Sequence, residues 1–303
     1  MNIVLQADCL EVLRELPDDC VDLVITSPPY EDARLYAELN YKVKGQEWVD
    51  WAVERYVECV RVCKGLVVWV VEGKTRQFRW SATPALLMAD LHRVGVKLRK
   101  PPIYHRISVS GSGGPDWWRN DYEFCVCASK GKLPWSNNTA TGKPPKWPVG
   151  GEMSNRTQDG RRRSAKTGSR LKSARPMPKI SNPGNVVFVE REDGELEPGN
   201  VIRCKVGGGQ MGSKLAHENE APFPDKLVDP FVQCFCPPGG LVLDPFCGSG
   251  TSLAVALRHG RQYFGIDQRQ SQVDLSERRI EEEKQSLGLA SKASCDILEV
   301  TSN

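Results

Sequence analysis

No Cys-x-x-Cys spacing occurs anywhere in this chain of 303 residues, although it carries eleven cysteines. The close pairs Cys59/Cys63, Cys125/Cys127 and Cys234/Cys236 have the wrong spacing for a zinc knuckle. Histidine is scarce, and His92, His105, His217 and His259 form no ligand-like cluster, so no metal site is expected. An odd cysteine count without an export signal points to reduced thiols, placed mostly in buried strands. A long hydrophobic run is also missing. The strongest apolar stretch, Gly65 to Val71, is far too short to cross a bilayer, and Met1-Asn2-Ile3-Val4 lacks the charged start and apolar core of a signal peptide. These absences predict a cytoplasmic protein with no membrane partner. The turn Gly248-Ser249-Gly250-Thr251 fits neither the dinucleotide G-x-G-x-x-G nor the G-x-x-x-x-G-K-Ser/Thr of a phosphate loop.

What is present reads as a soluble α/β protein. Hydrophobic content of 40% and charged content of 26% over this length suffice for one large α/β core plus a substantial insertion. Periodicity predicts a strand at Ile3–Gln6, a short helix, a strand at Val21–Thr26, a helix over 46–63 and a buried strand at Leu66–Val71. A helix over 83–93 and strands over 97–107 and 122–128 follow. From about 130 to 200 hydrophobic periodicity disappears and Pro, Gly, Ser, Asn and basic residues dominate. It returns as helix 227–235, strand 240–244, helix 253–259, strand 262–267 and a charged helix over 272–284.

Net charge is only +3, but its distribution is uneven. Between Lys143 and Lys179 there are eleven basic residues, among them Arg161, Arg162, Arg163, Lys166, Arg170 and Lys172, opposed only by Glu152 and Asp159. Such a block condenses on a polyanion and releases counterions. It is therefore the candidate for target recognition and phosphate contact. Trp117, Trp118, Trp135 and Trp147 lie near it as candidates to wedge or stack in a duplex, or simply to pack.

Two segments carry the chemistry. Ser27-Pro28-Pro29-Tyr30 closes the strand VDLVIT. Two prolines remove two backbone donors and fix two φ angles, giving a stiff corner whose carbonyls are free to accept. With a hydroxyl before it and an aromatic ring after it, the corner suits a flat, amine-bearing ring. The second segment is the strand Leu241–Leu243 running into Asp244-Pro245-Phe246-Cys247-Gly248-Ser249-Gly250-Thr251-Ser252 and then a helix. Glycines there allow a tight turn and close approach of a ligand to a helix N-terminus. The next strand ends in Gly265-Ile266-Asp267, an acid placed to accept from ribose hydroxyls, with Gln268 beyond it.

The strand–DPFCGSGT–helix–strand–GID arrangement resembles the S-adenosylmethionine site of DNA amino-methyltransferases, and SPPY resembles the catalytic motif of the same enzymes. The likeness covers about residues 1–130 and 215–282. Catalytic motif first, recognition region next and cofactor loop last is the order of the family's β group. Within the resemblance, Asp8, with Cys9 after it, matches the acidic residue near the cofactor adenine. Tyr122-Glu123 and Ala128–Gly131 match a late strand. HENEAPFPDKL (217–227), with Phe223, matches the segment completing the methionine end of the pocket.

The resemblance implies a doubly wound, mostly parallel, seven-stranded sheet of Rossmann-like, circularly permuted type. Its expected divisions are a catalytic half (1–130), a basic recognition insertion (131–214), a cofactor half (215–285) and a tail (286–303). The implied catalytic residues are Ser27, Pro28, Pro29 and Tyr30. The implied cofactor residues are Asp8, Cys9, Asp244, Phe246, Cys247, Gly248, Ser249, Gly250, Thr251, Asp267, Gln268 and Phe223. The implied activity is methyl transfer from S-adenosylmethionine to an exocyclic base amine of double-stranded DNA, with the base flipped out. Serine before Pro-Pro-Tyr goes with cytosine N4 in this family, and aspartate or asparagine with adenine N6, which stays as the alternative. An RNA methyltransferase and a non-catalytic DNA-binding module are the remaining readings. Methylation at cytosine carbon 5 is not expected, because Cys236 precedes rather than follows a proline and Cys247 lies inside the glycine turn. Expected partners are duplex DNA and a cognate restriction endonuclease, in a bacterial or phage-infected cell, with the enzyme a monomer or homodimer.

Overall fold

The computed structural model describes residues 1–32, 43–107, 122–142 and 224–289, the backbone of 201–205, and four isolated positions, Asp116, Asn120, Ser213 and Leu215. In chain order its elements begin with β1 (Asn2–Gln6), α1 (Cys9–Glu15), β2 (Val21–Thr26), α2 (Gly45–Val62) and β3 (Cys63–Val71). A small hairpin, β4 (Thr75–Arg76) and β5 (Arg79–Trp80), precedes α3 (Thr83–Arg93). Next come β6 (Leu98–Arg99), β7 (Ile103–Ile107), β8 (Tyr122–Ala128) and β9 (Val201–Lys205). The last elements are α4 (Asp225–Phe235), β10 (Leu241–Asp244), α5 (Thr251–Arg258), β11 (Gln262–Asp267) and α6 (Gln270–Ser286).

One mixed sheet runs β1-β11-β10-β2-β3-β8-β7-β9, with β6 also on β8. The five strands from β1 to β3 are parallel to one another, and β8 pairs antiparallel to β3. Side chains of β3 alternate between two cores, as the period of a strand demands. Leu66, Val68 and Val70 face α4, α5 and α6 through Leu227, Phe231, Leu253 and Ile280. Val67, Trp69 and Val71 face α2 and α3 through Trp48, Ala52, Tyr56, Leu87 and Leu91. A strand covered on both sides has no polar face, which is why VDLVIT and LVVWVV read as continuous apolar runs. Gly65 has a steric duty here: a Cβ on it would lie 1.9 Å from the Asp22 carbonyl oxygen, where β2 and β3 shift register.

Winding sets the functional place. From β10 the chain passes through α5 to β11 on one side, and from β2 through α2 to β3 on the other. The sheet therefore reverses direction of growth between β10 and β2, and the carboxyl ends of these two neighbours form the crevice where such sheets bind ligands.

Four features differ from the sequence expectation. Among the described residues the sheet has nine strands where seven were expected. The single strand expected over 97–107 is two, β6 and β7, because Pro101 and Pro102 lack the amides a ladder needs. The other extra strand, β9, lies inside the stretch expected to hold only an insertion, and its backbone pairs parallel to β7. In addition, α2 runs directly into β3 at Cys63 without a glycine stop.

Candidate active site

β2 and β10 are parallel neighbours, in register at Leu23–Val242 and Val24–Leu243, so their next residues bring the two motifs together. Thr26, fully buried at the end of β2, donates its hydroxyl to Asp244 Oδ1 at 2.5 Å across 218 residues of sequence. That bond joins the last residue before the proline corner to the first residue of the glycine loop. Asp244 Oδ1 also accepts the Phe246 amide at 3.1 Å, and Oδ2 accepts the Ser252 hydroxyl. Burial pushes the Asp244 carboxyl up from its ordinary 3.8 to about 6, with the hydrogen bonds from Ser252, Thr26 and Phe246 opposing that rise. At 1% exposure Asp244 fixes the two motifs to each other from beneath.

The glycine loop is a backbone cradle. Gly248 and Gly250 have φ of +48° and +73°. A Cβ on Gly250 would lie 2.9 Å from Ser276 Oγ and 3.1 Å from its Cα, so side chains are excluded by space as well as by conformation. The Gly248 amide donates to Asp267 Oδ2 at 3.1 Å, and the Arg269 amide to Oδ1 at 3.0 Å. Burial raises the Asp267 carboxyl, against the Arg269 backbone bond and charge that favour its ionised form. Ser249 and Thr251 are nearly buried, and Arg279 donates to the Thr251 hydroxyl at 2.7 Å while pairing with Asp225 at 2.5 Å. Cys247 is buried and its thiol is held well above 9 by burial, a small lining residue rather than a thiolate.

Asp8 arrives at the same rim. Its Oδ1 caps α1 by accepting the Leu10 amide at 2.8 Å, and its Oδ2 accepts the Gln268 amide and faces Arg55 at 3.5 Å. The Ala7 amide donates to the Asp267 carbonyl at 3.0 Å, so Asp8, Asp267, Gln268 and Gly248 form one cluster. Cys9 lies behind it, 3% exposed, with its thiol pushed up to about 12 by burial. Phe246 packs at 5.6 Å from both Trp51 and Trp69, and the Arg55 guanidinium lies 4.5 Å over the Trp51 ring.

The proline corner is held from outside itself. Pro29 offers its carbonyl to Trp48 Nε1 at 2.8 Å. Tyr30 donates its hydroxyl to Glu123 Oε2 at 2.5 Å, and Arg106 pairs with Glu123 Oε1 at 3.3 Å. Burial raises the Glu123 carboxyl, and the Arg106 charge and the Tyr30 bond pull it back. Ser27 Oγ lies 3.3 Å from the Val70 carbonyl and 3.4 Å from the Tyr30 oxygen, donating in both arrangements. The direction of these bonds matters. Tyr30 gives its proton to a carboxylate, and the single Ser27 proton points to Val70 or Tyr30, so the lone pairs of Ser27 remain to accept.

The structure thus brings Ser27, Pro28, Pro29 and Tyr30 to the rim that holds Asp8, Asp244, Phe246, Gly248, Asp267 and Gln268. Phe223 and the basic residues Arg161, Arg162, Arg163, Lys166, Arg170 and Lys172 lie outside the described residues, as do Trp117, Trp118 and Trp147. Sequence reasoning missed Glu123, Arg106, Trp48 and Thr26. Glu123 left a signal, since it is the one charged residue in the strand YEFCVCA. Trp48 was legible only as a helix packing position.

Residues 21–278 match the model of the N6/N4 methyltransferase family, described as DNA methylase. The chain is 27% identical over 275 residues to the orphan methyltransferase M.BamHII of Bacillus amyloliquefaciens, covering 88% of this chain and 92% of that one. Its fold is similar to that of the cytosine-N4-specific PvuII DNA methyltransferase, with a TM-score of 0.61 and 19% identity over 92% of this chain and 86% of that one. It is also similar to the DNA modification methylase TTHA0409 of Thermus thermophilus complexed with S-adenosyl-L-methionine, with a TM-score of 0.55 and 19% identity over 93% and 96% of the two chains. A match of this extent, on a sheet whose two motif-bearing strands are hydrogen-bonded neighbours, makes the chain a member of the N6/N4 family of DNA methylases.

Proposed function

We propose that this chain transfers a methyl group from S-adenosyl-L-methionine to the N4 amino group of cytosine in duplex DNA, with the base turned out of the stack. The observation that carries the reading is the Thr26–Asp244 hydrogen bond, which fastens the proline corner to the glycine loop. When bound, S-adenosyl-L-methionine supplies a sulfonium methyl already activated for transfer. The residues present suit it. Asp267 accepts the Gly248 amide on Oδ2 and the Arg269 amide on Oδ1, with the Arg269 side chain 3.7 Å from Oδ1, and keeps an acceptor position on Oδ2 for a ribose hydroxyl. Gly248 and Gly250 let a ligand approach the backbone, Asp8 and Gln268 border the same cluster, and Phe246 offers an apolar wall. Phe223 is proposed to complete the methionine end.

The remaining work belongs to the corner. An aromatic amine is a poor nucleophile because its lone pair is delocalised into the ring. Ser27 Oγ and the Pro28 carbonyl accept the amine hydrogens, draw the nitrogen towards tetrahedral geometry and stabilise the positive charge growing there. Tyr30 stacks on the flipped base, its ring fixed in angle by the bond to Glu123. The buried crevice orients the amine and keeps water away. Ser27 needs no great basicity, since the proton leaves after transfer. The basic block over 143–179 is proposed to hold the phosphates.

Serine before Pro-Pro-Tyr favours cytosine; the family description, which spans N6 and N4 enzymes, keeps adenine N6 as the second reading. Incubation with methyl-labelled S-adenosylmethionine and duplex DNA or RNA, followed by nucleoside analysis, decides. N4-methylcytosine in DNA is expected. N6-methyladenine establishes the second reading, and label in RNA alone or in neither polymer overturns both.

A further inference from the structure

The hairpin β4–β5 is not used by the chemistry above, and it is built in an unusual way. Its two-residue turn is Gln77-Phe78, with φ of +49° and +62°, between the pair Arg76–Arg79. Such a turn favours Asn-Gly, and a bulky aromatic residue in the left-handed region is a strained choice. Phe78 is nevertheless there, and it is 86% exposed, the most exposed large hydrophobic side chain among the described residues. Strain and exposure together give the fold nothing. They point to an external contact.

The base of the hairpin is anchored to the catalytic rim. Gly73 follows β3, the neighbour of β2, and a Cβ on it would lie 2.4 Å from Trp80 Nε1, so the Trp80 ring covers that backbone closely. Trp80 Nε1 donates to Glu72 Oε1 at 3.1 Å, and its ring lies 6.4 Å from Phe124, next in sequence to the Glu123 that holds Tyr30. Lys74 donates its backbone amide to Glu31 and its side chain to the Asp32 carbonyl at 2.9 Å, two residues beyond the proline corner. Arg76 pairs with Asp32 at 2.7 Å, and Arg79 is exposed. The result is a stiff finger, planted beside the corner through Lys74 and Arg76, with an aromatic tip next to the exposed Arg79.

We propose that this finger enters the DNA duplex beside the target nucleotide, Phe78 wedging into the stack that the flipped base leaves and the exposed Arg79 meeting a flanking phosphate. The proposal rests on the reading of the chain as a base-flipping DNA methyltransferase and names the element that opens the duplex. Apolar side chains inserted between base steps offset the cost of unstacking in other DNA-bending proteins, and arginine is the natural partner of phosphate. The charge at the tip fits a polyanion and disfavours an apolar protein surface.

The test compares two duplexes carrying the chain's own methylation site, one fully paired and one with a mismatch at the target base, which is already unstacked. Phe78→Ala is expected to slow methylation of the paired duplex about 10- to 100-fold, while the mismatched duplex is methylated within about twofold of the wild-type rate. Phe78→Trp is expected to restore most of the loss. Arg79→Gln is expected to weaken binding to all sequences alike and to lower the salt slope by about one. Because Phe78 is exposed and strained, alanine there leaves the fold intact, and an unchanged melting temperature checks this. Equal rates for Phe78→Ala and wild type on both duplexes overturn the finger but leave the methyltransferase standing. An equal loss on both duplexes also overturns it, since a wedge cannot matter where the stack is already open. A wild-type protein that methylates neither duplex overturns the functional reading and the finger with it.

Discussion

The glycine loop and the proline corner lie on one rim but differ in how far each secures itself. The loop carries short-range bonds of its own, Asp244 holding Phe246 and Ser252 and the Gly250 amide returning to the Cys247 carbonyl at 2.7 Å, beside longer ones from Thr26, Asp267 and Arg279. In the corner the bonds come from elsewhere: Trp48 on α2 holds Pro29, Val70 on β3 receives Ser27, and Glu123 on β8 receives Tyr30. A loop that fixes itself in part can be recognised from its own letters. A corner fixed by three other elements is a property of the sheet, and it fails when any of them moves.

The comparison is broken most sharply at Ser27. Ser27→Ala removes an acceptor for the developing charge, so kcat is expected to fall roughly 100- to 1000-fold with cofactor affinity unchanged, as read by transfer kinetics beside calorimetric binding. Next comes Asp244→Ala, which strikes both motifs at once. It leaves two hydroxyls and an amide without their buried acceptor, and chemical denaturation should show a loss of about 3 kcal/mol or more. Gly250→Ala touches the loop alone. A positive φ and a 2.9 Å contact predict about 1–3 kcal/mol of destabilisation and weaker cofactor binding, with the corner intact. Tyr30→Phe touches the corner alone, expected to lower kcat about tenfold and to leave cofactor affinity alone; Glu123→Gln should reproduce part of that loss.

The smallest effect expected is one of pH. The Asp244 carboxyl is raised from 3.8 to about 6, so between these values the folded state binds more protons than the unfolded one. Stability from this group is then full below about 3.8 and is lost as pH rises towards 6. Melting temperatures at pH 5 and pH 7 should therefore differ less in Asp244→Asn than in wild type. An equal difference in both would show that the carboxyl is not strained by its burial.

Much of this was legible beforehand. Buried strands announce themselves by apolar runs, and β2, β3, β8, β10 and β11 lie where those runs predict. Both motifs stood out because Pro-Pro and Gly-Ser-Gly restrict the backbone locally. The split of β6 from β7 follows from Pro101-Pro102, although the apolar pattern over 97–107 is that of one strand. Strand β9 had no such signal, since five residues amid a polar, glycine-rich stretch gain their place only by pairing with β7. The partners of the corner were hidden for another reason. Nothing in the letters of Glu123 says that it lies beneath Tyr30, 93 residues earlier.

By itself, then, the sequence determined where most strands and helices form, which two segments restrict their backbones for chemistry, and which family the chain joins. These are local properties, set by side-chain period and by the φ limits of proline and glycine. Only the tertiary structure decided that Thr26 meets Asp244, that a carboxylate on β8 sets the direction of the Ser27 and Tyr30 bonds, and that a strained phenylalanine stands at the rim. Those contacts depend on strand order and register, which close loops of up to 218 residues and leave no trace in any short window of the chain.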